Sequence, residues 1–128
     1  MTYEFKYLLK KLIQSYKKYG PQWKPGRDII HLKKRISRND LPFETTLQDY
    51  SHLITTIVVN EQSNIHIYNM KHFQQGYIVF SFNSWVVIVG EDYIMETAMI
   101  TRSPDNYLST EKGYTYIGTV KEVLSWIE

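Results

Sequence analysis

Few side chains in this sequence combine a useful pKa with charged neighbours at a repeating interval. The clearest group is Arg27, His31, Lys34 and Arg35 in the run RDIIHLKKRIS. On a helix, positions three or four apart share a face. Arg27 and Arg35 then sit one turn before and one turn after His31, with Lys34 and Arg38 beside them. Imidazole is the side chain that changes charge near neutral pH. Guanidinium groups grip phosphate through a fixed fork of donors. A histidine in such a frame suits metal-free proton transfer on an anionic substrate. Cleavage of RNA by its own 2′-hydroxyl is an example. It needs a base for that hydroxyl, an acid for the leaving 5′-oxygen, and cations for the phosphorane. The plainer reading is a surface histidine among solvated cations.

A second group follows in METAMITR. If residues 93–100 form a strand, Glu96 and Ala98 face one way and Met95, Thr97 and Met99 the other. Thr97 then stands among apolar neighbours, where its hydroxyl needs a partner. That partner is a phosphate, a histidine or only backbone. Arg102 beyond the strand offers a phosphate clamp. Tyr107 in the next loop offers base stacking or a hydroxyl donor. Trp23, between Pro21 and Pro25, reads either as a lid on the core or as an exposed stacking platform.

Other chemistries find little support. There are no cysteines, which excludes disulfides, thiolate nucleophiles and thiolate zinc sites. That absence fits a reducing cytoplasm, and equally a secreted toxin that must unfold to cross a membrane. The four histidines, His31, His52, His66 and His72, make no recognised metal motif. His66 and His72 flank Met70 and Lys71 and suit either the cleft or plain surface. No glycine-rich phosphate loop or nucleophile elbow occurs. No cofactor is expected. No cleavable leader is apparent, and no apolar run approaches the ~20 residues that span a bilayer.

Charge is divided unevenly. Residues 1–40 hold eleven Lys and Arg against three acids, a balance of +8, while residues 41–128 hold four against ten, a balance of −6. An anionic partner for the first third accounts for this, as does a basic helical layer packed beside an acidic sheet.

The elements that must position these groups follow from periodicity. Phe5, Leu8, Leu9, Leu12, Ile13 and Tyr16 mark an amphipathic helix over residues 3–18, ended by Gly20 and Pro21. Its stripe is expected on the domain's own core rather than on a membrane surface. Residues 28–38 form a second helix with Ile29, Leu32 and Ile36 inward and the basic residues outward. Thr45 or Thr46 caps a third helix reaching about residue 58, although its TTIVV run also suits a strand. Short aromatic and β-branched runs then indicate strands at 64–69, 77–82, 85–89, 93–100 and 113–118, with a hairpin at Asn83-Ser84. Thr119 and Glu122 form a capping box for a terminal helix over 119–128. The whole is one domain over residues 1–128, with a helical part at about 1–60 and a sheet part at about 61–118. Its class is α+β, with N-terminal helices on a four- to five-stranded antiparallel sheet and a short C-terminal helix.

With RDIIHLKKRI in the helical half and YIVFSFNSWVVIVGEDYIMETAMITR in the meander, the chain resembles the ribonuclease toxin domains of the barnase, EndoU, colicin and RelE-like (BECR) superfamily. The phage-associated and polymorphic-toxin branches are nearest. The resemblance spans roughly residues 23–110. It matches Arg27 and His31 to the helix histidine in a basic frame, and Thr97, Arg102 and Tyr107 to the sheet side of the cleft. It implies a metal-independent endoribonuclease leaving a 2′,3′-cyclic phosphate, with tRNA among the substrates. It also implies an antitoxin or immunity protein that blocks the basic cleft, action in the cytoplasm, and delivery from another cell or by a phage. His31, Thr97, Arg102 and Tyr107 would be the catalytic set, with Arg27, Lys34, Arg35 and Trp23 holding substrate. No second histidine is convincingly placed, so Thr97, Tyr107 or a basic residue takes the other proton role. The alternative is a non-catalytic immunity, inhibitor or nucleic-acid-binding module.

Overall fold

Burial of one stripe per helix and two faces of one sheet organises the chain. The computed structural model describes residues 3–69 and 76–126. Helix α1 (Tyr3–Tyr19) buries Leu9, Leu12, Ile13 and Tyr16, three or four residues apart. Helix α2 spans Arg27–Ser37 and α3 spans Leu47–Val59. A complete capping box opens α3: Thr46 Oγ1 accepts from Asp49 N, and Asp49 Oδ2 accepts from Thr46 N. The TTIVV run is therefore helical. Tyr50, Ile54, Ile57 and Val58 fill one helical face, and that packing overrides the β preference of the branched residues.

Strands β1 (Asn64–Asn69), β2 (Gly76–Phe82), β3 (Trp85–Gly90), β4 (Met95–Ile100) and β5 (Tyr114–Thr119) form one sheet in the order β4-β3-β2-β1-β5, every pair antiparallel. Asn83 (φ 48°) and Ser84 (φ 70°) form the two-residue hairpin between β2 and β3, the mirror-image turn that matches strand twist. Between β4 and β5 the polar loop contains a one-turn helix, α4 (Pro104–Tyr107), and a 3₁₀ turn at Thr110–Lys112. Helix α5 (Val120–Ser125) starts on the expected Thr119–Glu122 capping box. The α+β architecture is thus the one its periodicities indicate. Helix α5 ends at Ser125, and His72 and Ile127 lie outside the described residues.

The main core lies between the helices and one sheet face, where Ile65, Ile78, Phe80, Val87, Val89 and Ala98 meet Leu9, Leu12, Tyr50 and Ile54. The opposite face carries a smaller cluster, Val79, Val86 and Ile88, partly roofed by Leu108 and Tyr114. Strand β4 is an edge, and its exposed backbone groups are taken up by the helical layer. Tyr50 Oη donates to Ala98 O (2.7 Å), and Tyr16 Oη donates to Tyr93 O (2.7 Å) just before the strand. Met95 N donates to Gln22 O (2.7 Å). These bonds blunt the edge and fix the 20–26 loop against β4.

Two local expectations are corrected. Helix α2 is rotated from its predicted setting: His31, Leu32 and Arg35 are buried, whereas Ile29 and Ile30 are 40% and 50% exposed. Polar partners make this possible, because Arg35 finds Asp40 and His31 finds Thr97. Alternation along β4 is also broken. Ile88 pairs with Thr97 but Val89 pairs with Met95, so Glu96 is the extra residue of a bulge. Met95 and Ala98 therefore both join the helix-side core, and Glu96 no longer shares a face with Ala98.

Candidate active site

Gly26 adopts φ 82°, the left-handed conformation that glycine reaches at no steric cost, and turns the chain into α2. Asp28 sits in the first turn, where a negative charge is favoured. The first two turns of α2 then lie along the β4 edge. His31 is 9% exposed. Its Nδ1 stands 3.3 Å from Thr97 Oγ1 and its Nε2 stands 3.4 Å from Arg27 Nη2. Guanidinium can only donate, so Nε2 must be the accepting nitrogen. The ring proton is then on Nδ1, which donates to Thr97 Oγ1. One neutral tautomer is selected by its two neighbours.

Electrostatics favour the same state. Burial first, and then the charges of Arg27, Arg35 and Lys34, hold the His31 imidazole below its ordinary pKa. At neutral pH the ring is uncharged, with its lone pair toward Arg27. Trp23 covers it, ring centres 4.9 Å apart and planes inclined 38°, and Trp23 in turn lies 6.2 Å from Tyr50. Trp23 Nε1 is buried with no hydrogen-bond partner among the described residues. Trp23 thus does what a core lid does and also walls the histidine.

Beside this group opens a cleft of about 290 Å³ lined by Lys24, Arg27, Tyr77, Asp92, Ile94, Met95 and Glu96. Tyr77 lies opposite Gly90, which presents no side chain to fill the space toward β4. Burial and the carboxylates of Glu96 and Asp92 raise the Tyr77 phenol above its usual pKa, so it stays protonated. Lys24 and the exposed guanidinium of Arg27 supply positive charge on one wall. The bulge brings Glu96 into the lining, next in sequence to Thr97. Bulges commonly re-aim side chains in this way.

The structure therefore brings Arg27, His31, Thr97 and Trp23 together. It places the other predicted residues elsewhere. Arg35 is 2% exposed and its Nη1 donates to Asp40 Oδ2 at 3.1 Å, while its Nε has no partner among the described residues. Asp40 Oδ2 also accepts from Ile100 N at 3.4 Å, so this ion pair ties the end of α2 to β4. Arg35 acts on His31 through charge and is not open to a ligand. Lys34 is exposed and likewise reaches His31 through its charge. Arg102 is exposed past the far end of β4, where Thr101 N donates to Ser84 O (2.9 Å), rather than at the Glu96 end. Tyr107 packs against Tyr114 of the opposite edge strand β5, ring centres 5.6 Å apart and planes inclined 41°. Three strands separate β5 from β4, so Tyr107 does not join His31. His66 packs on Tyr116, also on that side.

Lys24, Tyr77 and Glu96 were not singled out from sequence. For Tyr77 a signal existed, since a glycine directly across the strand leaves room for a large ring. For Glu96 none did, because a bulge depends on how two strands pair.

Among the described residues, no group of three or more His, Cys, Asp or Glu is arranged to hold a metal ion, and no helix is long and apolar enough to cross a membrane. No family model, no curated protein and no solved structure matches this chain.

Proposed function

We propose that this chain is a metal-independent endoribonuclease whose base is His31. The observation that carries the reading is the neutral imidazole fixed between Arg27 Nη2 and Thr97 Oγ1, beside a cleft that Arg27 shares and in which Lys24 and Arg27 face Asp92 and Glu96. A buried, uncharged histidine with an oriented lone pair is what proton abstraction at neutral pH requires. Arg27 plays two parts. In the free protein its donors face Nε2. An incoming phosphate, a stronger acceptor, draws the guanidinium to itself and leaves Nε2 open to the 2′-hydroxyl.

His31 Nε2 takes the 2′-hydroxyl proton, and the 2′-oxygen forms a bond to phosphorus. The bond from phosphorus to the 5′-oxygen breaks, and that oxygen receives a proton. The products are a 2′,3′-cyclic phosphate and a 5′-hydroxyl. Arg27 and Lys24 offset the charge that builds on the phosphorane oxygens. The protonated Tyr77 hydroxyl is the donor we assign to the leaving oxygen, a role for which Thr97, Tyr107 or a basic residue was expected. Thr97 keeps the imidazole in the productive tautomer and is a positioning residue. Trp23 excludes water from the base. This reading extends the BECR ribonuclease resemblance, with tRNA as the first substrate to try and an acidic antitoxin or immunity protein as the matching inhibitor.

The test is incubation of total tRNA with the protein in EDTA, comparing wild type with His31→Ala. Discrete fragments ending in 2′,3′-cyclic phosphate from wild type alone are the expected result. Intact RNA, bound equally by both proteins and released by salt, would replace the nuclease with a non-catalytic binding module.

A further inference from the structure

Helix α1 carries five lysines against a single glutamate. Its apolar side is used up by the core, since Leu9, Leu12, Ile13 and Tyr16 are all 3% exposed or less. Tyr3, Tyr7, Lys11, Lys17 and Lys18 occupy the solvent side. Tyr3 and Tyr7 are 67% and 45% exposed and stack on each other, ring centres 6.4 Å apart. Lys11 Nζ lies over the Tyr7 ring at 5.2 Å, and Lys18 Nζ over Tyr19 at 5.1 Å. Lys17 and Lys18 in the last turn suit the helix dipole, but with Lys11 and the exposed tyrosines they also make a strip of cations and aromatic faces open to solvent. A polyanion with flat bases matches it, because ammonium groups take phosphates while tyrosine faces stack on bases of any sequence.

The stripe is also continuous with the cleft. Tyr16 of α1 donates to the carbonyl of Tyr93, and the Tyr93 side chain lies within electrostatic reach of both Lys11 and Tyr7. Tyr93 sits between Asp92 and Ile94, which line the cleft. Gln22 bridges to Ile94 and its side chain donates to Ser15 of α1 (2.9 Å). From Tyr3 to Lys18 the helix spans about 22 Å, room for several nucleotides.

We infer that the solvent face of α1 is a second RNA-binding track, running from the cleft past Tyr93 along Lys11, Tyr7, Lys17 and Lys18, so that the substrate is an RNA longer than the cleft can hold. The inference rests on reading the cleft as an RNA site. An anionic membrane is the other polyanion to consider. It fits less well, because the helix has no apolar face left to insert.

The experiment uses the full chain and RNA carrying 2′-O-methyl groups, which lacks the attacking hydroxyl and stays intact. Wild type and the triple variant Lys11→Gln, Lys17→Gln, Lys18→Gln are titrated with a strand of about 30 nucleotides and with a tetranucleotide, across salt. These exposed side chains are replaced without touching the core, and circular dichroism verifies the fold. Loss of three phosphate contacts should weaken the long strand on the order of tenfold near 100 mM salt and flatten the log–log salt slope by about 2. Tetranucleotide binding should stay within about twofold of wild type, since so short a strand is held by the cleft. Unchanged affinity and slope for the long strand overturn the track. So does an equal loss for the tetranucleotide, or wild-type protein that ignores RNA and binds phosphatidylserine vesicles through these lysines. If tRNA is never cleaved yet the triple variant still loses the long strand selectively, the nuclease reading falls and the track stands.

Discussion

Replacing Asp40 with alanine strips a buried guanidinium of its counter-charge. The Arg35 side chain is 3% exposed and that of Asp40 16%, so water cannot take over the lost contact. Arg35 Nε already lacks a partner among the described residues, which leaves Nη1 and its 3.1 Å bond to Asp40 as the main compensation for burying the charge. The Ile100 amide loses its acceptor in the same step. Breaking a buried pair from one side costs about 3–5 kcal/mol. For a chain of 128 residues each kcal/mol moves Tm by roughly 3–4 °C, so Tm should fall by roughly 10–18 °C. Thermal unfolding followed by circular dichroism at pH 7 reads this directly. The double change Arg35→Met, Asp40→Leu removes both charges and should restore stability to within ~1 kcal/mol of the parent. A single variant that loses less than ~1 kcal/mol, or a double variant as damaged as the single one, would refute the claim that this pair clamps α2 to β4.

Thr97→Val removes the acceptor for the His31 Nδ1 proton and should lower the tRNA cleavage rate by about 10- to 100-fold through misalignment of the base, with Thr97→Ser restoring most of it. A full rate in the valine variant would remove Thr97 from the site. Because the His31 pKa is held below its ordinary value, the cleavage rate should rise with pH to a half-point under about 6.5. Arg27→Gln takes away one of the charges that hold it down and should move that half-point upward. An unmoved half-point would show that the 3.4 Å contact does not govern the imidazole. The same depressed pKa values of His31 and His66 make the unfolded chain bind more protons in acid. Stability is therefore full above about 6.5 and is lost as pH falls below it. Urea midpoints at high and low pH, with and without His31→Asn and His66→Asn, measure the effect, and an identical drop in the double variant would count against it. Ser84→Gly relieves a left-handed residue (φ 70°) in the β2–β3 hairpin and should stabilise by roughly 0.5–1 kcal/mol, raising the urea midpoint at constant slope.

Several features of this protein were written locally and could be read locally. The amphipathic period of α1, the alternating runs that became β1 to β5, the Asn83-Ser84 hairpin and the Thr119–Glu122 capping box each depend on residues within one turn or one strand. Arg27 and His31 were legible for the same reason, because four residues on a helix fix their proximity.

What the sequence could not decide were choices between faces and partners far apart in the chain. Periodicity gave α2 an apolar stripe at Ile29, Leu32 and Ile36; Leu32 is buried and Ile36 packs on the core, but Ile29 is left exposed and His31 and Arg35 are buried as well. Asp40 pairs with Arg35 from only five residues away, but Thr97 reaches His31 only once β4 stands beside the helix, with Trp23 packed over the ring. Glu96 enters the cleft through a bulge that exists only once β4 pairs with β3. Tyr107 stayed away from His31 because strand order placed β5 at the opposite edge. Local pattern and capping set most of the elements, and packing decided the TTIVV run. Desolvation weighs on which face is buried, since burying a polar group costs least where the assembled fold supplies its partner.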